Sequence, residues 1–358
     1  MSRERVGPIA PEPVPVEPIP VGPSAVDTDR GLTRQRQVTP RHPRNAWNRS
    51  LSWELIFNIT PHLPTPILAV VHHLTSIICF AAMGRQRRAT QANLRRIDTR
   101  RGLANLLLAY RTFHQFSRFM VAYAELRRPN SRLPSTLADG DTAERATRAL
   151  VAEGSGRIVL TAHLGQWDVG LRHLAGIGVP VHVVMQETEA RDVARHAGEI
   201  REAAAVQVHQ SGSSHMLGLE LALALRRGHV VALQGDRPLG EHDHPTTVFG
   251  APLSLPTGPL RLARATGAPI LPVFTVFVGD RALRIECGEV IRVPKGRGPL
   301  SAAELETGMA QIGRALEEAI ARHPDQWFCF SDAWADAATA HPPATSESPG
   351  DSGEVGLL

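Results

Sequence analysis

The sequence predicts an α/β fold: a largely parallel or mixed central sheet with flanking helices, preceded by a helical N-terminal segment that associates with a membrane. The first observation is an alternation of short Val- and Ile-rich runs with helical stretches between residues 145 and 335. Such alternation is typical of strands joined by crossover helices. The second is an apolar stretch at 66–83 that runs directly into a cluster of arginines. Apolar helices with basic flanks are common at membrane interfaces.

The composition is that of a globular protein in a reducing, cytosol-facing compartment. The chain has 358 residues, and 42% of them are hydrophobic, too few for a multi-span membrane protein. Three widely spaced cysteines (Cys79, Cys287 and Cys329) indicate neither a disulfide framework nor a zinc site.

Four segments are expected along the chain. Residues 1–46 are rich in Pro and then in Arg, a composition that predicts a disordered tail and lacks the features of a signal peptide. Residues 47–130 form the helical, membrane-associating segment, and residues 131–335 form the α/β domain. Residues 336–358 have the composition of a second disordered tail.

The helical segment combines an apolar stretch with a basic one. The run at 66–83 has the minimum length of a transmembrane helix, but His72 and His73 interrupt it, which favours an interfacial or buried helix over a span. Seven arginines follow between 85 and 101. Because no aromatic interleaving or nucleic-acid-binding motif accompanies them, they predict an anionic membrane surface as a partner and no nucleic acid. The stretch 103–128 has helical apolar spacing and is expected to pack on the main domain.

Five apolar runs are predicted strands: 157–162, 179–186, 206–210, 229–235 and 268–277. Helical stretches such as 189–205 separate most of them, and a further strand or hairpin is expected within 282–293. A long amphipathic helix follows, with Ser301 as its N-cap and Glu304 three residues on. The Pro- and Gly-rich stretch after residue 244 is expected to be a substrate-covering loop that leads into a helix near Pro256.

The motif TAHLGQWD, residues 161–168, offers a catalytic pair in the pattern His-x4-Asp. His163 follows a predicted strand, where open α/β sheets place their ligands, and Gly165 allows a tight turn that can bring Asp168 back to the imidazole. A neutral imidazole can take a proton from an attacking hydroxyl while a carboxylate fixes its tautomer. The catalytic hypothesis is therefore His163 as general base and Asp168 as its orienting acid. The alternative is a histidine at a helix start that is merely capped by a nearby acid.

Direct transfer between two bound substrates is the simplest chemistry for this pair. A serine hydrolase needs a nucleophile, and the sequence contains no Gly-x-Ser-x-Gly. The glycine–serine–glycine run at 154–156 precedes its strand rather than following it, so it is no dinucleotide-binding fingerprint either.

A second polar block, QGDRPLG at 234–240, follows the fourth predicted strand. Asp236 and Arg237 are therefore expected at the same edge of the sheet as His163. Arg237 is a candidate to bind a phosphate or a developing negative charge, and a surface ion pair is the alternative. The His-Asp-His run at 242–244 lacks further ligands at suitable spacing, so no metal is expected.

Taken together, these blocks resemble the lipid A biosynthesis acyltransferases, which are lauroyl and myristoyl transferases, and the related phosphatidylinositol mannoside acyltransferases. The resemblance covers residues 50–332, and the succession of blocks is more specific than any one of them. The blocks come in the family's order: QANLRR (91–96), TAHLGQWD (161–168), GDRPLG (235–240), VFGAPLSLPTGPLRLARATGAPILPVF (248–274) and HPDQWF (323–328).

The resemblance implies a glycerolipid-acyltransferase-like fold and transfer of a fatty acyl group from acyl-acyl-carrier-protein or acyl-CoA to a hydroxyl of a membrane lipid or glycolipid. It also implies the cytoplasmic face of a bacterial inner (plasma) membrane and no cofactor besides the acyl donor. By position, His163 becomes the general base with Asp168, Arg237 contacts phosphate or the oxyanion, and Asp236 orients Arg237. The basic run of lipid A enzymes is missing after HPDQWF, which leaves the acceptor lipid open.

Two other classes of function stay open beside the transferase. One is a catalytically silent lipid-binding protein of the same fold, which the intact pair of His163 and Asp168 disfavours. The other is a thioesterase-like hydrolase, in which water replaces the acceptor hydroxyl.

Overall fold

The computed structural model describes residues 62–126, 137–138, 156–176, 178–186, 206–211, 216–240, 243–279 and 282–335. These residues all belong to one compact unit. The two expected tails, 1–46 and 336–358, and the expected helix at 189–205 lie outside the described residues.

A seven-stranded mixed sheet forms the centre of this unit. In spatial order its strands are β1 (Leu137–Ala138), β9 (Ala282–Cys287), β8 (Ile270–Val278), β2 (Arg157–Thr161), β5 (Val230–Gln234), β3 (Val181–Gln186) and β4 (Val206–Ser211). The five strands from β8 to β4 are parallel to one another, whereas β9 runs antiparallel to β8. The α/β class, the five predicted strands and the additional strand after them are confirmed.

The described part of the chain contains seven α-helices. They are α1 (Thr65–Ala82), α2 (Gly84–Ile97), α3 (Gly102–Glu125), α4 (Trp167–Gly176), α5 (Leu217–Arg226), α6 (Gly258–Thr266) and α7 (Ala302–Arg322). The predicted start of α7 is confirmed: Ser301 Oγ accepts a hydrogen bond from the Glu304 backbone N–H, and the Glu304 carboxylate accepts one from the Ser301 backbone N–H. This capping box satisfies two of the donors that a helix start leaves without partners.

The central strands are covered by helices on both faces, which explains their nearly continuous apolar sequence. Every residue of β2 is buried. Its Ile158 and Leu160 pack in one cluster with residues of α5, α6 and α7. Its Val159 belongs to a separate cluster with Leu171 and Leu174 of α4. The sheet thus forms the middle layer of a three-layer arrangement.

A β-hairpin takes the place of the expected substrate-covering loop. Its strands, β6 (Asp243–Val248) and β7 (Ala251–Pro256), pair antiparallel around a two-residue turn at Phe249 and Gly250. Both turn residues have positive φ, 50° and 71°, as the tightest hairpin turns require. The loop prediction was wrong because prolines and glycines masked the alternation of exposed and buried residues along β6. The helix expected next begins at Gly258.

Helices α1 and α2 meet at a bend of 92° next to Met83. Arg87 of α2 donates hydrogen bonds to the carbonyl oxygens of Phe80 and Ala81 at the end of α1, which satisfies acceptors that a helix end leaves open. Among the described residues, no single helix has both the length and the apolar character needed to cross a membrane. Within the described helices, the bent pair of α1 and α2, counted together, meets that requirement by length and composition.

Helix α3 connects the N-terminal helices to the α/β domain, as its apolar spacing predicts. Its Phe119 and Tyr123 are buried in an aromatic cluster that includes Phe328, and the Phe119 ring centroid lies 4.4 Å from that of Trp167. On the N-terminal side, α3 packs along α1 and α2. The N-terminal helices are therefore anchored on the domain that carries the candidate site.

Candidate active site

His163 lies directly beyond the carboxyl end of β2, as predicted. The strand ends at Thr161 and α4 begins at Trp167, so the loop between them is tight. Gly165 in this loop has φ of 61°, a left-handed conformation that glycine adopts at low cost. The imidazole stands edge-on to the Trp167 ring, with 5.4 Å between the centroids, and its side chain is 24% exposed. The ring is thus held in place yet accessible to a substrate.

The carboxylate that binds the His163 ring belongs to Asp236. Nδ1 of His163 donates to Asp236 Oδ1 over 2.9 Å, and the backbone N–H of His163 donates to the same oxygen over 3.1 Å. Asp236 reaches this position because it follows β5, which pairs with β2 in parallel up to Thr161 and Gln234. The ring position expected for Asp168 is therefore taken by Asp236.

The segment after α7 holds the second oxygen of this carboxylate. Trp327 Nε1 donates to Asp236 Oδ2 over 2.9 Å. The same segment runs beside the His163 loop, where the Phe328 N–H donates to the His163 carbonyl oxygen over 2.8 Å. Asp236 is only 2% exposed, and with donors on both oxygens its orientation is fixed.

Arg237 is next to this pair and uses part of its guanidinium to bind the chain. Its Nη2 donates to the Phe328 carbonyl oxygen over 2.6 Å. Its Nε is buried, and no group in the described part of the chain accepts a hydrogen bond from it. The expected contact between Asp236 and Arg237 is electrostatic in the structure, since the hydrogen bonds of Asp236 go to His163 and Trp327.

Asp168 lies in the first turn of α4 and is 4% exposed. Its negative charge favours the protonated form of His163, but the effect is smaller than that of Asp236. A carboxylate in this position is also favoured by the dipole of the helix that it opens. The structure thus brings His163, Asp168, Asp236 and Arg237 together at one edge of the sheet, with Asp236 rather than Asp168 on the ring.

Burial lowers the pKa of His163 below the ordinary value of 6.5, and the charge of Arg237 lowers it further, while Asp236 opposes both. For Asp236, burial acts to raise the pKa, but His163, Arg237 and Trp327 together hold it below the ordinary 3.8. At neutral pH a neutral imidazole therefore donates from Nδ1 to an ionised carboxylate. Nε2 is then the basic nitrogen of the ring.

The model of the bacterial lipid A biosynthesis acyltransferases matches residues 35–335. This protein belongs to that family. The match includes all the helices and strands of the described structure. It also includes both His163 and Asp236, so the whole candidate site lies within the region that matches the family.

Three phosphatidylinositol mannoside acyltransferases are similar to this family member at 26% identity. Two come from strains of Mycobacterium tuberculosis and one from Mycolicibacterium smegmatis. The similarity covers 52%, 52% and 51% of this chain, and 57% of each relative. The chain thus spans little more than half the length of the curated relatives that it matches.

Two blocks of the resemblance have structural roles that the sequence alone did not indicate. HPDQWF supplies Trp327 and Phe328 to the site. QANLRR holds the segment after Phe328 in place through hydrogen bonds of Asn93. Asn93 Nδ2 donates to the carbonyl oxygens of Cys329 and Ser331 over 3.2 and 2.8 Å, and Asn93 Oδ1 accepts from the Ala333 N–H over 3.1 Å. The one sequence feature that could have indicated this role is Trp327 itself, because a buried indole N–H needs a hydrogen-bond acceptor.

The His-Asp-His run at 242–244 has a local role where the structure describes it. Asp243 Oδ2 accepts hydrogen bonds from the backbone N–H groups of Leu239 and Gly240 over 2.7 and 2.8 Å, which closes the loop before β6. His244 Nε2 lies 3.4 Å from a Glu306 carboxylate oxygen. His242 lies outside the described residues.

Gly165 should not tolerate a side chain. We expect Gly165→Ala to lower the free energy of unfolding by at least about 2 kcal/mol, because alanine is strained at this φ and its Cβ would collide with the Thr275 carbonyl oxygen. Gly178→Ala is the matched control: φ is 84°, but no atom of the described residues lies within 4 Å of the Cβ position, so the loss should be about 1 kcal/mol. Urea unfolding followed by circular dichroism measures both losses. Equal losses would show that close packing at Gly165 is unimportant.

Proposed function

We propose that this protein is an O-acyltransferase that moves a fatty acyl group from an acyl thioester to a hydroxyl of a membrane lipid or glycolipid. The observation that carries the proposal is the His163–Asp236 pair, a neutral and accessible imidazole held by a buried carboxylate at the edge of the sheet. Membership of the lipid A biosynthesis acyltransferase family supports the class of reaction.

In this reaction His163 acts as the general base. Its Nε2 takes the proton of the acceptor hydroxyl while the hydroxyl oxygen attacks the thioester carbonyl carbon. The new C–O bond turns the carbonyl oxygen into an oxyanion. When the oxyanion collapses, the C–S bond breaks and the imidazolium returns the proton to the departing thiolate. Asp236 keeps Nδ1 protonated throughout and stabilises the imidazolium between the two steps.

We assign to Arg237 the binding of negatively charged groups of the substrates. Its guanidinium is close enough to His163 to lower the pKa of the ring, and the buried Nε still has a hydrogen to donate. A phosphate of either substrate, or the oxyanion itself, fits this donor. Asp168 adds a second negative charge near the imidazolium and acts through space.

The comparisons suggest the first acceptors to test. The relatives are named for phosphatidylinositol mannoside, and the family is named for lipid A, so both lipids are candidates. The donor is acyl-CoA or acyl-acyl-carrier-protein. No further cofactor enters the proposal, because the substrates supply the nucleophile and the leaving group and His163 moves the proton.

An assay with palmitoyl-CoA or palmitoyl-acyl-carrier-protein, with and without vesicles that contain phosphatidylinositol mannoside or a lipid A precursor, tests the proposal. Thiol release that depends on the acceptor, together with an acylated lipid in the mass spectrum, is the expected result. Thiol release that does not depend on the acceptor would indicate a thioesterase-like hydrolase. Absence of release with both donors and both acceptors would favour a silent lipid-binding protein.

The acid limb of the pH–rate profile should lie below pH 6.5, because burial and then Arg237 lower the pKa of His163 from that value. The neutral base is fully present above its pKa and is lost as the pH falls through it. Arg237→Gln removes a positive charge, so it should raise the pKa and move the limb to higher pH, whatever it does to the rate. The profile of kcat/KM from about pH 4.5 to 8.5, recorded for wild type and for Arg237→Gln, measures the acid limb of each protein.

The control for this shift is Arg261→Gln, the same change of charge at an exposed position of α6. It should leave the limb where it is. A wild-type limb at or above pH 6.5, or an Arg237→Gln limb that does not move, would contradict the assigned environment of His163.

We also propose that the protein associates with the cytoplasmic face of the inner membrane, and the exposed side of α1 supports the membrane association. Large apolar side chains are exposed there, and two more are exposed on α3, which packs along α1. They are Ile67, Val70, Val71, Leu74, Ile77 and Ile78 on α1, and Leu103 and Leu107 on α3. Arg85 and Arg88 are exposed at the start of α2, beside this patch. An apolar face next to basic residues is the pattern of helices that lie in a membrane interface.

Exposed arginines near the apolar patch should contribute to membrane affinity. We expect the double variant Arg85→Gln/Arg88→Gln to bind anionic vesicles more weakly by about 2 kcal/mol, roughly 30-fold, because each arginine contributes about 1 kcal/mol near a negative surface. Arg87 is left unchanged because it binds carbonyl oxygens of α1. Co-sedimentation with phosphatidylglycerol vesicles at about 0.1 M salt measures the change.

The matched control is Arg226→Gln/Arg314→Gln, which removes two exposed charges on α5 and α7. This variant should bind like wild type. If both double variants bind equally well, the arginines at the start of α2 have no part in membrane binding.

A further inference from the structure

Three histidines from two helices converge at the packing of α1 on α3. His72 and His73 belong to α1 and His114 to α3. His114 Nε2 lies 3.0 Å from His72 Nε2 and 3.0 Å from His73 Nδ1, and the three nitrogens all lie within 4.8 Å of one another. We propose that these three nitrogens bind a divalent transition-metal ion, for which Zn²⁺ is the probe.

Hydrogen bonds alone satisfy this cluster poorly. Each nitrogen of a neutral imidazole either carries one hydrogen or offers one lone pair. His114 Nε2 has two imidazole nitrogens at 3.0 Å. If this nitrogen carries no hydrogen, its lone pair accepts a hydrogen bond from only one of them. If it carries a hydrogen, that hydrogen has to be shared between the two. A shared hydrogen points directly at neither acceptor, which weakens both bonds. A metal ion removes this conflict because it attracts all three lone pairs at once.

A second group of histidines shows what a satisfied arrangement looks like. His182 Nδ1 lies 3.0 Å from His209 Nε2, and His182 Nε2 lies 3.0 Å from His229 Nδ1. Each contact uses a different nitrogen of the central ring, so one hydrogen per ring makes both bonds. His209 Nδ1 lies 3.6 Å from a Glu220 carboxylate oxygen, which suits a hydrogen on that nitrogen. This chain of rings is complete without an ion.

Two of the three nitrogen–nitrogen distances in the α1–α3 cluster are close to those of a tetrahedral zinc site. Zn–N bonds of about 2.0–2.1 Å place two ligand nitrogens about 3.3 Å apart. The two contacts of 3.0 Å need to open only slightly to reach this distance. His72 and His73 diverge by about 100° around the helix, yet they converge here because one offers Nε2 and the other Nδ1.

The backbone around the cluster is fastened as well. Ser117 Oγ of α3 donates to the His72 carbonyl oxygen over 3.0 Å, which joins the two helices beside the rings. His73 is exposed, so the fourth coordination position faces solvent and takes water. A bound ion would therefore tie α1, with its exposed apolar face, to the helix that packs on the α/β domain. The sequence predicts no such site because His72 and His114 lie 42 residues apart.

Zinc titration of the untagged, full-length protein after treatment with a chelator tests the proposal. We expect one Zn²⁺ per chain by calorimetry and by elemental analysis, and a higher melting temperature with Zn²⁺ than without it. His114→Ala should abolish this binding. His73→Gln, at an exposed position, should keep the fold and weaken binding at least about tenfold, since even the loss of a ligand's hydrogen-bond partner costs 10- to 100-fold.

Two variants serve as matched controls. His62→Gln removes an exposed histidine just before α1, and Cys287→Ser removes an exposed thiol. Both should bind Zn²⁺ like wild type. Absence of stoichiometric binding to wild type, or unchanged binding by a folded His73→Gln variant, would overturn the proposal even if His114→Ala fails to fold. Because the readout is binding, the result is independent of the proposed acyl transfer.

Discussion

His163→Ala should reduce the rate of acyl transfer by about 10²- to 10⁴-fold, the usual value of general-base assistance, while the protein stays folded. The fold should survive because the side chain lies beyond the end of β2 and is 24% exposed, so its removal opens no cavity in the core. The rate is measured as CoA released from palmitoyl-CoA in the presence of acceptor lipid. Near-UV circular dichroism of the variant checks the fold.

His244→Ala is the matched control for this experiment. His244 is also a partly exposed histidine beside a carboxylate, Glu306, but it lies on the β6–β7 hairpin. We expect it to keep wild-type activity. An activity of His163→Ala within a few-fold of wild type would rule out His163 as the base.

Asp236→Asn should lower kcat by at least about 10²-fold, because the carboxylate selects the tautomer with hydrogen on Nδ1 and stabilises the imidazolium. In the wild type, His163 Nδ1–H and Trp327 Nε1–H each donate to a different carboxylate oxygen of Asp236. An asparagine has only one side-chain oxygen to accept these two hydrogen bonds. Asp168→Asn should cost much less, since Asp168 acts on the ring through its charge and less strongly than Asp236. Steady-state kinetics of the two variants makes the comparison.

The pH profile separates positioning from a general structural defect. Asp236 opposes the lowering of the His163 pKa, so its loss should move the acid limb to still lower pH, a shift that mere loosening of the loop would not produce. If Asp168→Asn is the more damaging change, the pairing seen in the structure is not the one used in catalysis.

The helices and strands could be predicted from the sequence where their burial produces a recognisable pattern of apolar residues. Strands such as β2 are covered on both faces and therefore read as apolar runs, and the capping box of α7 is a local signature. The β6–β7 hairpin was missed because its turn and its prolines produce the composition of a loop. Strand order, which depends on contacts between distant residues, has no comparable local pattern.

The same limit applies to the site. His163, Asp236 and Arg237 were expected at one edge of the sheet because each follows a strand of the same direction. The partner of His163 was expected to be Asp168, which is close in sequence, whereas the hydrogen bond to Asp236 depends on β5 lying next to β2. Trp327 was not foreseen at all, because its contact with Asp236 joins residues 91 positions apart.

The attachment of the segment 323–328 to the site sets an order in which activity can arise during synthesis. A growing chain that extends only through α7 already contains every strand of the sheet, His163 and Asp236, but it has no indole to hold Asp236 Oδ2. The hydrogen bonds at the site are completed only after Trp327 has emerged from the ribosome and Asn93, made much earlier, has bound the backbone behind it. Under the proposed membrane association, an unfinished chain reaches the membrane through its N-terminal helices before Trp327 completes the hydrogen bonds of Asp236.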